Sequence, residues 1–103
     1  AVSLDPADRR AFDAVLELPG AVCAVEFISR LHDCQAQLRQ LHLKQRDGGV
    51  DRLVVVVAAT HYNRRVLREV GEVLKDAFPL DTKQIMRALK AGRDPGANGL
   101  VLL

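Results

Sequence analysis

Residues 21–59, AVCAVEFISRLHDCQAQLRQLHLKQRDGGVDRLVVVVAA, decide the fold of this chain. The stretch opens with an apolar run from Ala21 to Ser29 and closes with the run LVVVVAA from Leu53 to Ala59. Continuous apolar runs of this kind are typical of strands that are covered on both faces. Between them the apolar period lengthens to about 3.6 residues, which predicts a helix from Leu31 to the Gly48-Gly49 pair. Strand, helix and strand together predict a right-handed crossover between two parallel strands.

A hairpin is predicted on the N-terminal side of this crossover. From Arg9 to Leu18 the residues alternate as in a strand, which ends at the turn residues Pro19-Gly20. The next strand would then return antiparallel to the first. The alternation sorts the side chains onto two faces, one with Phe12, Ala14, Leu16 and Leu18 and the other with Asp13, Val15 and Glu17.

Two helices and a short strand are predicted after the crossover. The second helix runs from Tyr62 to Ala77 and stops before Pro79, with an apolar side made of Val66, Val70, Val73, Leu74 and Ala77. The third helix follows the N-cap Asp81 and closes at Gly92, with apolar residues Ile85, Met86 and Leu89. The apolar end, Gly99 to Leu103, predicts a strand at the sheet edge or a subunit contact of a homodimer. Residues 1–103 should thus form a single α/β domain with a small mixed sheet.

Composition narrows the class of protein. The net charge of +2 is too small for a general cationic field that would hold the chain to nucleic acid or to an anionic membrane. Cys23 and Cys34 form no C-x-x-C pair and lie in apolar segments, as reduced, buried thiols do. The start, AVSLDPADRR, lacks the pattern of a secretion signal, and the run from Leu53 to Ala59 is too short to cross a bilayer. We therefore expect a cytoplasmic protein with no membrane partner.

The hairpin places two acids opposite each other. If Pro19-Gly20 forms a two-residue loop, Leu18 pairs with Ala21, and counting outward sets Asp13 opposite Glu26. A symmetric four-residue loop gives the same pairing. Side chains of directly opposed residues share a face with Cβ atoms about 4.5–5.5 Å apart, so two carboxylates would face each other and destabilise the sheet. Either a divalent cation or a basic side chain would compensate.

A polar stripe on the first helix offers the partners for this acidic pair. Its members recur at spacings of four, three and four residues and are Asp33, Gln37, Gln40 and Lys44. Lys44 or Arg46 would reach toward the carboxylates, and Gln37 and Gln40 would support them. The alternative is that Asp13 points to solvent while Glu26 pairs with an arginine.

Other polar residues suggest weaker sites. His32, His42 and His61 match no zinc pattern with the cysteines, and Gly48-Gly49 follows a helix instead of preceding one, so it is no phosphate loop. The second helix carries three arginines on one side, which would contact a phosphate backbone or form a solvated face: Arg64, Arg65 and Arg68.

The order of the acidic residues resembles the PD-(D/E)XK nuclease superfamily. The likeness consists of an acid on one strand, an acid on the next, and a helix with Gln and Lys before another strand. It implies a restriction-endonuclease-like core in which Asp13 and Glu26 hold Mg²⁺ or Mn²⁺. Within Glu26-Phe27-Ile28, Ile28 stands where the superfamily has lysine. Lys44 would then be the catalytic lysine, since this residue migrates in some branches of the superfamily.

Nearly the whole chain also resembles the C-terminal domain of actinobacterial regulators that begin with an Xre-type helix-turn-helix domain. The likeness is carried by FDAV at residues 12–15, by LKQRDGGVD at 43–51 and by the ending KAGRDPGANGLVLL at 90–103. In those regulators the second strand has the pattern Val-Glu-x-Glu-Thr-Arg. Residues 25–30, VEFISR, keep the first acid and the arginine but have Ile28 in place of the second acid.

Three functions follow from these observations. The resemblance favours a nuclease-like accessory domain of a DNA-binding regulator, inactive in catalysis and serving oligomerisation, sensing or DNA contact. DNA would be bound through an upstream domain or through the local arginines. The first alternative is a magnesium-dependent nuclease acting on DNA or RNA, and the second is a protein-interaction module whose acids are structural.

Overall fold

A four-stranded mixed sheet organises residues 12–103, the part of the chain that the computed structural model describes. The strands lie in the order β1-β2-β3-β4, with β1 and β2 antiparallel and the other two pairs parallel. The elements in chain order are β1 (Ala14–Leu18), β2 (Ala21–Ile28), α1 (Cys34–Gly48), β3 (Arg52–Val57), α2 (His61–Leu74), α3 (Thr82–Lys90) and β4 (Gly99–Leu102). The predicted α/β class, the parallel crossover and the edge position of the last strand are confirmed.

The hairpin has the even register that its two-residue turn predicts. Leu18 pairs with Ala21 and Ala14 with Val25, and Gly20 takes the left-handed conformation, with φ of 79°, that the turn requires. The first strand is shorter than predicted, because it begins at Ala14 and Phe12 lies in a bend. Residues 9–11 of the predicted strand lie outside the described residues.

The bend places Phe12 on the opposite face from the one predicted. Its ring belongs to the core cluster beneath α1, whereas Ala14 and Leu18 pack on the other side of the sheet. A Cβ atom on Gly48 would lie 2.9 Å from Phe12 Cε2, so the glycine provides the space for this ring. Strand alternation assigned the wrong face because the period of two does not extend through the bend.

The ends of α1 are set by capping. The Asp33 side chain accepts the N–H of Ala36, and Gly49 closes the helix in the left-handed conformation, as predicted. The helix therefore starts at Cys34, and Leu31 is a fully buried residue of the preceding loop instead of the first helical residue. The second strand likewise ends at Ile28, one residue earlier than predicted.

The boundaries of α2 and α3 follow the same logic. Thr60 caps α2, which starts at His61 and ends at Leu74, three residues before the predicted end. Val73, which was predicted on the apolar side of this helix, is 61% exposed. Asp81 caps α3 through a capping box with Gln84, so this predicted N-cap is confirmed.

The sheet separates two apolar clusters. Helices α1 and α2 cover one face, where Leu31, Leu38, Leu53, Val55, Val57 and Leu74 are among the buried residues. Helix α3 covers part of the other face, where Cys23, Val25, Val54, Ile85 and Val101 are buried. Because α3 packs mainly on β4, Phe27 on β2 stays 60% exposed, and the prediction that both faces of this strand are covered is wrong there.

Both cysteines are buried free thiols, in line with the sequence prediction. Burial raises the pKa of Cys23 to about 11, and it also raises the pKa of Cys34. Thiols with raised pKa values are poor nucleophiles, because the thiolate is the reactive form.

Candidate acidic site

The hairpin brings Asp13 and Glu26 together on the face beneath α1. Asp13 precedes β1 by one residue, and continuing the register of the hairpin sets it opposite Glu26. The Asp13 Oδ2 atom accepts the N–H of Phe27 at 2.8 Å, which holds the carboxylate against the second strand. Glu26 is 7% exposed within an otherwise apolar strand. An unpaired charge at such a position would be costly.

Lys44 supplies the basic partner of this pair. Its Nζ atom lies 2.6 Å from Glu26 Oε1, and it also lies 5.2 Å from the centre of the Phe12 ring. The side chain of Lys44 remains 34% exposed, while that of Glu26 is 9% exposed. Lys44 stands one turn before Gly48, so the close approach of α1 to Phe12 and the ion pair depend on the same part of the helix.

Burial dominates the ionisation of Glu26. It raises the pKa of the carboxyl group, and the neighbouring Asp13 raises it further, while the ion pair with Lys44 acts in the opposite direction. The net effect is a raised pKa. The site therefore favours a proton or a cation beside Glu26, and one ammonium group does not fully offset the cost of burial.

The other predicted partners lie elsewhere. Gln37 fastens the loop before α1, since its Oε1 accepts the N–H of His32 at 3.0 Å and its Nε2 donates to the carbonyl of Arg30 at 3.4 Å. Gln40 is exposed, and Arg46 pairs with its neighbour Asp47 at the surface. Of the polar residues proposed on α1, Lys44 alone contacts the acids within residues 12–103.

Ile28 lies two residues after Glu26 on the same strand and packs against the core cluster under α1 and α2. Its side chain offers neither charge nor hydrogen bonds at the position where the nuclease superfamily has lysine. The only cation that contacts Glu26 in the described part of the chain thus comes from the helix, not from the strand.

A second buried polar centre was not found by sequence reasoning. Asn63 is fully buried in the first turn of α2, where its Oδ1 accepts the N–H of Leu31 at 2.9 Å. Its Nδ2 donates to the carbonyls of Ser29 and Ala58 at 3.0 and 2.9 Å. Asn63 therefore joins the loops that follow β2 and β3. An amide three residues before the apolar pair Val66-Leu67 was the available signal, but two of its three partners, Ser29 and Leu31, are distant in sequence.

The three arginines of α2 are all exposed, and the structure adds an aromatic neighbour to them. The guanidinium carbon of Arg30 lies 3.9 Å from the centre of the Tyr62 ring, and that of Arg65 lies 5.7 Å from it. The short distance to Arg30 is a cation–π contact. Arg64 and Arg68 extend the basic surface along the helix.

Within residues 12–103, no three His, Cys, Asp or Glu side chains are grouped so that they could hold a metal ion. None of the helices in these residues combines the length with the hydrophobicity that a membrane span needs. Comparison with family models, with curated proteins and with solved structures gave no match to this chain.

Proposed function

We propose that this chain is a nuclease-like accessory domain of a DNA-binding transcriptional regulator and that it does not cleave phosphodiesters. The observation that carries the absence of cleavage is the ion pair between Lys44 and Glu26, at 2.6 Å, beside Asp13. The assignment to a regulator rests on the sequence resemblance. In this reading the core is restriction-endonuclease-like, and the lysine of the protein itself neutralises the acids that would otherwise hold a metal ion.

The donor set of the acidic site fits an internal ammonium better than a divalent cation. Glu26 Oε1 is bound to Lys44 and Asp13 Oδ2 to the Phe27 N–H, so one oxygen of each carboxylate is engaged. Mg²⁺ demands near-octahedral oxygen coordination, and it would lie close to the ammonium group. A metal-dependent phosphodiesterase must also activate water and stabilise charge on the phosphate. With Ile28 on the strand, the chain has no second cation to share these tasks at the acids within the described residues.

The residues that carry the resemblance to regulators have structural roles. Gly48 accommodates the Phe12 ring, and Gly49 caps α1. Asp51 then accepts the N–H of Val22 through Oδ2 at 2.7 Å and donates its own N–H to the carbonyl of Val22 at 2.9 Å. The stretch therefore joins α1 to the sheet. A structural role for these residues agrees with a domain that does not catalyse a reaction. An Xre-type domain encoded upstream of Ala1 would support the regulator assignment.

A cleavage assay tests the proposal. The chain is incubated with single- and double-stranded DNA and RNA in the presence of Mg²⁺ or Mn²⁺, and we expect no cleavage. The Lys44→Met variant removes the ammonium group and keeps the length of the side chain. In that variant we expect Mn²⁺ to raise the melting temperature, because the two carboxylates then lack their cation. The double variant Asp13→Asn with Lys44→Met is the control and should not respond to the metal.

The second candidate is a metal-dependent nuclease, and the convergence of Asp13, Glu26 and Lys44 favours it. Here Lys44 would leave Glu26 when metal and substrate bind, and it would then stabilise the charge of the phosphate. Metal-dependent cleavage by the wild type that is lost in Lys44→Met would establish this candidate and overturn the first. Cleavage that survives in Lys44→Met would point to a contaminant.

A further inference from the structure

We propose that the chain binds the phosphate backbone of nucleic acid through a surface at the carboxyl end of its parallel strands. This arginine surface consists of Arg30 after β2 and of Tyr62, Arg64, Arg65 and Arg68 on the first two turns of α2. It shares no residue with the acidic site. The proposal therefore does not depend on whether the acidic site is inactive.

The order of charges along α2 is the reverse of the one that stabilises a helix. Arg64 lies in its first turn, which has no acid, Arg65 and Arg68 lie in its second turn, and the acids Glu69 and Glu72 come later. The N-terminus of a helix carries partial positive charge, so cations there are unfavourable and anions are favourable. Arg64, in the first turn, is therefore slightly unfavourable in the free protein. It becomes favourable when an anion binds, because the helix end and the guanidinium groups then attract the same charge.

The arginines of this surface are available to a ligand. None of the four forms an ion pair with an acid within residues 12–103, whereas Arg46 and Arg52 do. All four are exposed. Arg30 is held against the Tyr62 ring, which limits its motion but leaves its N–H groups unoccupied by any carboxylate in this part of the structure.

The surface is built on a rigid base. Asn63 ties the loop after β2 to the loop after β3 by three hydrogen bonds, to Leu31, Ser29 and Ala58. Both loops lead into helix N-termini, those of α1 and α2. The carboxyl ends of parallel strands are the common position of ligands in α/β proteins. Arg30 lies on the loop after β2, and the arginines of α2 follow the loop after β3. A buried amide thus fixes the relative position of the two parts of the surface.

The geometry favours a polymer over a small phosphate compound. The cleft beside Tyr62 has a volume of about 730 Å³ and is lined by Asp33 and Glu69 as well as Arg65, so its floor is not uniformly basic. Arg64 and Arg68 lie outside its lining, about 6 Å apart along the helix axis, which corresponds to roughly two phosphates of one strand of a duplex. Planar guanidinium groups are suited to phosphate oxygens. A spread row of arginines with one tyrosine fits a chain of phosphates.

Binding of a labelled DNA duplex, followed by fluorescence anisotropy at several salt concentrations, tests the proposal. The variant Arg64→Gln with Arg68→Gln should lower the affinity at least about tenfold at about 50 mM salt. It should also reduce the slope of log K against log salt by about two, because two phosphate contacts are lost. The matched control, Arg87→Gln with Arg93→Gln, removes the same charge from the region of α3 and should keep the affinity within about twofold.

Thermal unfolding of the same variants separates binding from folding. Arg64 lies in the first turn of α2, where a cation is unfavourable, and Arg68 is exposed, so Arg64→Gln with Arg68→Gln should melt at the same temperature as the wild type or higher in the absence of DNA. Failure of the wild type to bind the duplex, or an equal loss of affinity in the control variant, would overturn the proposal. Displacement of the duplex by inorganic phosphate at an equal concentration of phosphate groups would also overturn it, because the ligand would then be free phosphate.

Discussion

Two ion pairs link distant parts of residues 12–103, and they differ in how well the protein compensates the charges. Arg52 and Asp94 meet through two hydrogen bonds, from Nε at 3.0 Å and from one terminal nitrogen at 3.2 Å, and Asp94 also accepts the N–H of Gly96 at 2.8 Å. Lys44 meets Glu26 through one contact at 2.6 Å. The side chains of the first pair are 29% and 26% exposed, whereas that of Glu26 is 9% exposed.

The difference appears in the direction of the pKa shifts. The hydrogen bond from Gly96, together with Arg52, lowers the pKa of Asp94, whereas burial raises the pKa of Glu26 in spite of Lys44. A forked guanidinium and a backbone N–H stabilise a half-buried carboxylate. A single ammonium does not fully stabilise a deeply buried one that has a second acid beside it. The Arg52–Asp94 pair thus favours the charged form of its acid. The Glu26–Lys44 pair holds a carboxylate whose charged form is disfavoured by burial.

Removal of Lys44 should have the largest effect on stability. In Lys44→Met the free energy of unfolding should fall by about 3 kcal/mol at about pH 8, because Glu26 is left buried and charged beside Asp13. Urea denaturation measures the loss. The loss should be smaller at about pH 5 than at about pH 8, because a lower pH favours the neutral form of Glu26, whose pKa is raised.

The matched control for this experiment is the double variant Glu26→Gln with Lys44→Met. It removes both charges and should recover most of the stability of the wild type. An equal loss at both pH values in Lys44→Met, or no recovery in the double variant, would show that Lys44 acts through packing on Phe12 instead of through charge.

Breaking the second pair should have a smaller effect. Asp94→Asn should lower the free energy of unfolding by about 1–2 kcal/mol at neutral pH. The two charge-assisted hydrogen bonds from Arg52 are then replaced by weaker hydrogen bonds to a neutral amide. Arg52→Lys keeps the positive charge but cannot donate from two nitrogens in the same plane, so its free energy of unfolding should fall by part of that amount. If Arg52→Lys were as stable as the wild type in urea, the second hydrogen bond of Arg52 would contribute nothing to stability. The proposed difference between the two ion pairs would then be wrong.

The smallest effect is expected from Glu26→Gln, and its pH dependence has a definite sign. The folded pKa of Glu26 is raised above its ordinary value of 4.5, so ionisation weakens the folded state as the pH rises through that raised value. The variant should match the wild type near pH 4 and exceed it by about 0.2–1 kcal/mol above the raised pKa.

The pKa of Asp94 is shifted in the opposite direction, so its effect on stability depends on pH with the opposite sign. Its folded pKa is lowered below 3.8, so its contribution is present above that pH and is lost as the pH falls through the folded value. Urea midpoints of wild type, Glu26→Gln and Asp94→Asn across a pH series check both signs. A Glu26→Gln variant that is less stable than the wild type at neutral pH would mean that Lys44 outweighs the burial of Glu26.

Local sequence was sufficient to predict the elements and the hairpin register. The valine run predicted β3, Asp81 and Gly49 predicted helix ends, and the two-residue turn at Pro19-Gly20 predicted the register that sets Asp13 opposite Glu26. Each of these features depends on residues within one turn or on the period of a single strand. They can therefore be predicted without knowing how the helices pack on the sheet.

Local sequence could not predict which polar residue of α1 contacts Glu26. Gln40, Lys44 and Arg46 were all candidates, and the rotation of the helix over the sheet brings only Lys44 onto Glu26. That rotation follows from how Leu38, Gly48 and the Phe12 ring pack together. The bend before β1, which turns Phe12 onto this face, has no signal in the alternation of the strand.

By itself the sequence determined the α/β class, the order of the elements and the pairing of the two acids, because periodicity, caps and turns act over a few residues. Tertiary structure alone decided which cation meets Glu26 and where Asn63 finds its partners. It also decided that Arg52 meets Asp94, which lies 42 residues away. Contacts over such separations depend on the relative placement of packed elements, and the side chains within one element do not specify that placement.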